Sequence, residues 1–201
     1  MTNVDFLDLP AVDEIEGTIF FTTTSGTYLL VVSDKTLVST GAIATVLQPV
    51  GSGTTLNLTL DTTTTPVFAI ESSNLPVVIS AGFSSASDIL NGQTVLAHVK
   101  SATLASGVNV VSDRLILRFS RLTGTVGTVT GSDFSIQNLP GYLGPVPMLQ
   151  VRTFVPQTTF DNVTGGVISN LTNGDSVSIR ALLLNPITAQ PPLRAAKVRK
   201  H

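Results

Sequence analysis

Seven cations crowd two short stretches of this 201-residue chain: Arg114, Arg118 and Arg121, then Arg194, Lys197, Arg199 and Lys200. Alternate residues of a β-strand share a face, so such stretches can present a basic stripe to the phosphates, sulfates or carboxylates of an anionic polymer. A repeated segment connects the two stretches. Asn91-Gly-Gln-Thr-Val-Leu-Ala-His-Val99 and Asn173-Gly-Asp-Ser-Val-Ser-Ile-Arg-Ala181 lie 82 positions apart. Carried along the chain, that offset sets His98 against Arg180, Ile116 against Val198 and Arg118 against Lys200. Arg114, Arg118, Arg180, Lys197 and Lys200 are therefore the candidate anion contacts, one stripe per copy. Stacking platforms are scarce, with no Trp and two Tyr, and Phe119 is expected to pack inward. That disfavours nucleic acid as the partner.

Other chemistry finds little footing. Ser112-Asp113 with His98 is the one Ser/Asp/His grouping, and no Gly-x-Ser-x-Gly elbow accompanies it. His98 reads as a surface residue, and His201 is terminal. Asp13, Glu14 and Glu16 cluster where nothing would hold paired carboxylates in place, and Asp61 and Glu71 flank a threonine loop as solvated charges. No calcium-loop pattern occurs, and Gly51-Ser-Gly53 lacks the lysine of a phosphate loop. No cofactor is expected. The sequons at Asn57, Asn162 and Asn170 are what a threonine-rich chain produces by chance. With no cysteine, disulfides, thiolate zinc sites and cysteine nucleophiles are excluded.

Composition bounds what can position these residues. Hydrophobic residues make up 42% and charged residues 12%, with mean hydropathy +0.39. The apolar residues fall in strand-like runs, which supports packed cores rather than disorder. The net charge of −2 hides an asymmetry: residues 1–100 carry nine acidic and two basic residues, residues 101–201 four acidic and nine basic. No apolar run is long enough for a transmembrane helix. The start of the chain lacks the pattern of a signal peptide.

The elements read as strands. Gly17-Thr-Ile-Phe-Phe, a turn at Ser25-Gly26 and Tyr28-Leu-Leu-Val-Val make one hairpin; Gly124-Thr-Val, a turn at Gly131 and Phe134-Ser-Ile136 make a second of the same design. Leu56, Leu58 and Leu60 alternate with polar residues, as in a half-buried strand. Asn91-Gly92 and Asn173-Gly174 each mark a tight turn before a strand. In those strands Val95, Ala97 and Val99, or Val177, Ile179 and Ala181, face inward. Ser84–Ile89 and Gly166–Leu171 suit single helical turns. Self-similarity of this kind predicts tandem modules: an acidic tail over 1–14, a first β module over 15–120 and a second over 121–201. The fold class is all-β, with five or six strands per module. The expected architecture is two small antiparallel β-barrels of OB-like type, with a β-sandwich as the alternative.

The order of elements carries a resemblance. Gly-Thr-Val with a Phe-x-Ile strand leads to Val151-Arg-Thr-Phe-Val-Pro-Gln-Thr-Thr-Phe160, then to Leu171-Thr-Asn-Gly-Asp-Ser-Val177 and the closing Ala195-Ala-Lys-Val-Arg-Lys200. This resembles a bacterial β-barrel domain-of-unknown-function family (five-six-six-six), most closely over residues 121–201. The resemblance implies tandem modules in exported or lipid-anchored envelope proteins, hence an extracytoplasmic setting and a protein or polysaccharide of the cell envelope as partner. It brings no catalytic or binding residues. The resulting expectation is a non-enzymatic structural or interaction module. The alternatives are a module binding a saccharide or anionic polymer, and a virion or appendage subunit.

Overall fold

The computed structural model describes residues 12–23, 26–71, 75, 82–187 and 191–201. The chain is all-β. One sheet takes its strands from the first half: β1 (Glu14–Thr22), β2 (Tyr28–Thr36), β3 (Thr55–Leu60), β4 (Val67–Ile70), β5 (Thr94–Leu104) and β6 (Val108–Arg118). The other takes β7 (Ser120–Thr130), β8 (Asp133–Gln137), β9 (Met148–Arg152), β10 (Thr159–Asp161), β11 (Ser176–Leu183) and β12 (Leu193–Lys200). The first sheet runs β3-β2-β1-β5-β6-β4 and closes through a β3–β6 pairing. The second runs β9-β8-β7-β11-β12-β10 and closes through β9–β12.

Each module is thus a ring of five strands with a sixth hung on the last. Parallel pairs join β3 to β6 and β9 to β12, and β4 and β10 also add in parallel. This departs from the wholly antiparallel arrangement expected, for a topological reason. Strand direction cannot alternate all the way round an odd-membered ring, so one neighbouring pair must run the same way.

The duplication extends to single residues. Gly17 of β1 lies opposite Val95, and Gly124 of β7 lies opposite Val177. The Asn-Gly turns match bond for bond: Gly92 N–H donates to the Ile19 carbonyl and Gly174 N–H to the Val126 carbonyl. Gly92 (φ +89°) and Gly174 (φ +94°) sit in the left-handed region, which suits glycine. Phe68 of β4 and Phe160 of β10 pair with equivalent positions, Leu115 and Val198.

One register expectation is corrected. Val95 pairs with Leu117, whereas Val177 pairs with Lys200, so the offset grows from 82 to 83 in the last strand. The counterpart of Arg118 is therefore His201, not Lys200, and that of Ile116 is Arg199, not Val198. The stretch between the paired residues Arg180 and Lys197 is one residue longer than that between their counterparts His98 and Arg114. Because side chains alternate, that single residue exchanges the two faces.

Alternation also explains the run Ala181–Leu184. Ala181 and Leu183 point into the second core, while Leu182 and Leu184 are buried in the first. The modules share further contacts. The Gln93 side-chain amide donates to the Leu183 carbonyl (2.9 Å) and the Asp88 carbonyl (3.0 Å), and its oxygen accepts from Leu90 N–H (2.8 Å). Asn185 donates to the Asp88 carboxylate at 3.0 Å. Gln93 is fully buried, so Gln93→Ala removes the partner of two carbonyls in buried hydrogen bonds and of the part-buried Leu90 N–H. It is expected to lower stability by about 2–4 kcal/mol, measured by urea unfolding.

Several local expectations change. Asp13 and Glu14, read as tail residues, are structured: the buried Asp13 carboxylate accepts from Val38 N–H (2.7 Å) and Ser39 N–H (2.9 Å), and Glu14 opens β1. The rest of the proposed tail through residue 11, and Ser25 of the first turn, lie outside the described residues. Single 3-10 turns do form at Ala86–Asp88 and Ile168–Asn170. A helix, α1 (Ala42–Leu47), was not foreseen. Six residues are too few to show a stripe, and only Leu47 is buried. Asp61 is buried rather than solvated, and it gathers Thr63, Thr64 and Lys100 around its carboxylate.

Candidate anion-binding face

The outer face of β7, β11 and β12 holds the candidate site. Arg180 of β11 lies directly opposite Arg121 of β7 on one side and Lys197 of β12 on the other. One residue pair further on, Ser178 lies between Thr123 and Arg199. These side chains, with His201, line a cleft of about 380 Å³. The His201 Nε2 lies 3.0 Å from the Ser178 hydroxyl. The Arg180 guanidinium stacks 4.6 Å from the centroid of Phe119, which fixes it by cation–π attraction. Lys197 Nζ is held at 2.7 Å by Asp161 of β10.

Like charges directly opposite across strands destabilise a sheet by a few tenths of a kcal/mol or more per pair. The second module carries two such contacts in one row. The first module shows that the fold does not require them. At the positions of Arg121, Arg180 and Lys197 it has Glu14, His98 and Arg114. At those of Thr123, Ser178 and Arg199 it has Glu16, Leu96 and Ile116. There His98 Nε2 meets the Glu14 carboxylate at 3.1 Å, so an acceptor stands where the second module has Arg121.

The predicted contacts separate on this map. Arg180 and Lys197 join the cleft. Lys200 does not: its position corresponds to the inward-facing Leu117, and its ammonium pairs with Asp175 at 2.8 Å. Arg118 pairs with Glu71 on the first module, and Arg114 belongs to the first module's version of the face. Arg121, Arg199 and His201 replace them. His201 was passed over as a terminal residue; the corrected one-residue register is the signal that finds it. The Ser112, Asp113 and His98 grouping does not form a relay. The Ser112 hydroxyl donates to the Arg114 carbonyl at 2.8 Å, while the His98 ring engages Glu14. No family model, no curated protein and no solved structure matches the chain.

Other hollows among the described residues include two that bear on the reading. One of about 350 Å³ lies between the modules, lined by Ile89, Leu90, Leu143, Val146, Leu149 and Leu183, with Thr22 and Asn91 its polar members apart from main chain. The other, about 750 Å³, lies beside Asp61, Thr63 and Lys100. No group of three or more His, Cys, Asp or Glu that could hold a metal is found among the described residues. No helix among them is long and apolar enough to cross a membrane.

Asp61, Asp88, Asp133 and Asp175 share one electrostatic trend. Lys100, with the Thr64 hydroxyl and Thr63 N–H, holds the Asp61 carboxyl well below the ordinary range. Arg152 does the same for Asp133, and Lys200 with Thr172 N–H for Asp175. Burial pushes Asp88 up, yet hydrogen bonds from Ser84 N–H, Asn185 and the Ser84 and Ser85 hydroxyls outweigh it and lower its pKa. A depressed native pKa contributes stability that is complete above the unfolded value of about 3.9 and lost as pH falls through the native value. The melting temperature is therefore expected to change little between pH 7 and about 5 and to fall steeply below about 4. Calorimetry from pH 7 to 2 checks this, and a flat profile to pH 2 would contradict it.

Proposed function

We propose that this chain is a non-enzymatic interaction module that holds an anionic polymer against the outer face of its second ring. One observation carries the reading. The duplicated fold supplies two equivalent faces, and only the second concentrates Arg121, Arg180, Lys197, Arg199 and His201 around a cleft. Retaining like charges in direct cross-strand contact costs stability, and that cost is offset when an anion binds between them. The setting we propose is the bacterial cell envelope, on the resemblance of residues 121–201 to envelope modules. The polar groups of the Ser112 and His98 region, being bonded elsewhere, support the non-catalytic part of the reading.

The test is binding to immobilised heparin, used as a generic polyanion. Retention is expected at 50 mM salt, with affinity falling steeply by 200 mM as counterions are released. The Arg180→Ala/Arg199→Ala double variant is expected to lose at least about tenfold in affinity while the protein stays folded, a loss on the scale of one or two charge-assisted contacts. Arg118→Ala, outside the cleft, is expected to bind as the parent does. No retention at 50 mM salt, or an equal loss in Arg118→Ala, overturns the reading.

A further inference from the structure

Resting on that reading, we infer that the polymer is a carboxylated polysaccharide, a polyuronate, laid across β7, β11 and β12 rather than along any one of them. Three features of the face point there.

The first is the row of cations. Arg121, Arg180 and Lys197 sit in one cross-strand row, so their backbones are separated by the strand spacing of about 4.8 Å. A polyuronate carries one carboxylate on every sugar, so a short stretch of it can bring several carboxylates within reach of this row of long cationic side chains. Two of the three cations are arginines, whose planar fork matches a carboxylate with two parallel hydrogen bonds. Asp161 fixes the Lys197 ammonium at 2.7 Å, and an ammonium with three donors has others left for the ligand. Along β12 the cleft holds only two Lys or Arg side chains, Lys197 and Arg199, against three in the row across the strands.

The second is the neighbouring row. Beside the three cations lie the Thr123 and Ser178 hydroxyls, both in the cleft. Hydroxyls next to a cationic row suit the sugar hydroxyls that flank each carboxylate. The first module has Glu16 and Leu96 at these two positions, so the hydroxyls are a feature of the cationic face and not of the fold.

The third is the lack of a stacking surface. No Phe or Tyr lines the cleft. The Phe119 ring beside it has the Arg180 guanidinium over its face. Single-stranded nucleic acid derives much of its affinity from bases stacked on exposed aromatic side chains, and this cleft offers no Phe, Tyr or Trp, with the imidazole of His201 as its single ring.

The experiment compares three labelled probes at 50 mM salt by fluorescence anisotropy: an oligogalacturonate, oligo(dT) with the same number of charges, and a neutral dextran. The oligogalacturonate is expected to bind at least tenfold tighter than oligo(dT), and dextran not at all. Thr123→Ala/Ser178→Ala is expected to weaken oligogalacturonate several-fold, to leave oligo(dT) unchanged, and to keep the parent's melting temperature. Equal or tighter binding of oligo(dT), or equal losses for both probes in the double variant, overturns the polyuronate assignment while the anion-binding face stands. Failure of both charged probes, together with loss of heparin retention, overturns both.

Discussion

Ile179→Asp is expected to unfold the second module. Ile179 is 1% exposed and lies opposite Leu122 on β7 and Val198 on β12, both fully buried. The substitution forfeits about 1.5–3 kcal/mol of side-chain burial. It also leaves a carboxyl group among apolar neighbours, a further cost of about 1–3 kcal/mol even when the group takes up a proton. Domains of this size hold roughly 5–15 kcal/mol in total, so the loss removes most of the margin. Val177→Asp, one inward position earlier, is expected to cost less. Val177 is also buried but lies opposite Lys200, whose ammonium can turn to the new carboxylate. Urea unfolding of the two variants reads the difference. Equal destabilisation would contradict the register that places Lys200 on the inward side of the rim. Arg180→Asp supplies the contrast on the outer face: heparin retention is expected to vanish while the protein stays folded.

Gly17→Ala and Gly124→Ala are expected to cost the same amount as each other, about 1–3 kcal/mol or somewhat more. A methyl group at Gly17 would stand 2.6 Å from the Val31 carbonyl oxygen, and one at Gly124 would stand 2.6 Å from the Gln137 carbonyl oxygen. In both cases the obstacle is the backbone of the neighbouring strand, which cannot step aside as a side chain can. The next contacts, Leu30 and Ile136, are equivalent core residues. Gly51→Ala is the control, because nothing lies within 4 Å of the added carbon; it is expected to stay within about 0.5 kcal/mol of the parent. Thermal unfolding of the three variants measures all of this. A tolerated alanine at either of the two strand glycines would mean that the hairpins do not coil as tightly as the structure has them.

How much of this was legible in the chain depends on whether the signal was local. Period-two alternation at Leu56, Leu58 and Leu60, and at Val177, Ile179 and Ala181, is a property of one strand, and those residues took the faces expected, with Leu60 only partly buried. The Asn-Gly turns and the short 3-10 turns preceding them also depend on a few adjacent residues. The helix over Ala42–Leu47 was not legible, because its six residues bury a single leucine and rest on tertiary packing. Asp61 and Asp13 looked solvated because their partners, Lys100 for one and the Val38 and Ser39 amides for the other, lie 25 to 39 positions away in the chain.

The amino-acid order by itself determined an all-β chain built twice from one pattern, with which strand faces are apolar and where the turns fall. These follow from side-chain alternation and backbone preference acting over a handful of residues. Only the tertiary structure decided which cations meet. A single extra residue between the paired positions Arg180 and Lys197, relative to His98 and Arg114, turned Lys200 toward the rim and brought Arg199 and His201 to the face of Arg180. Strand pairing is a long-range choice made by the whole ring, and in a pleated sheet a shift of one residue reverses every side chain beyond it.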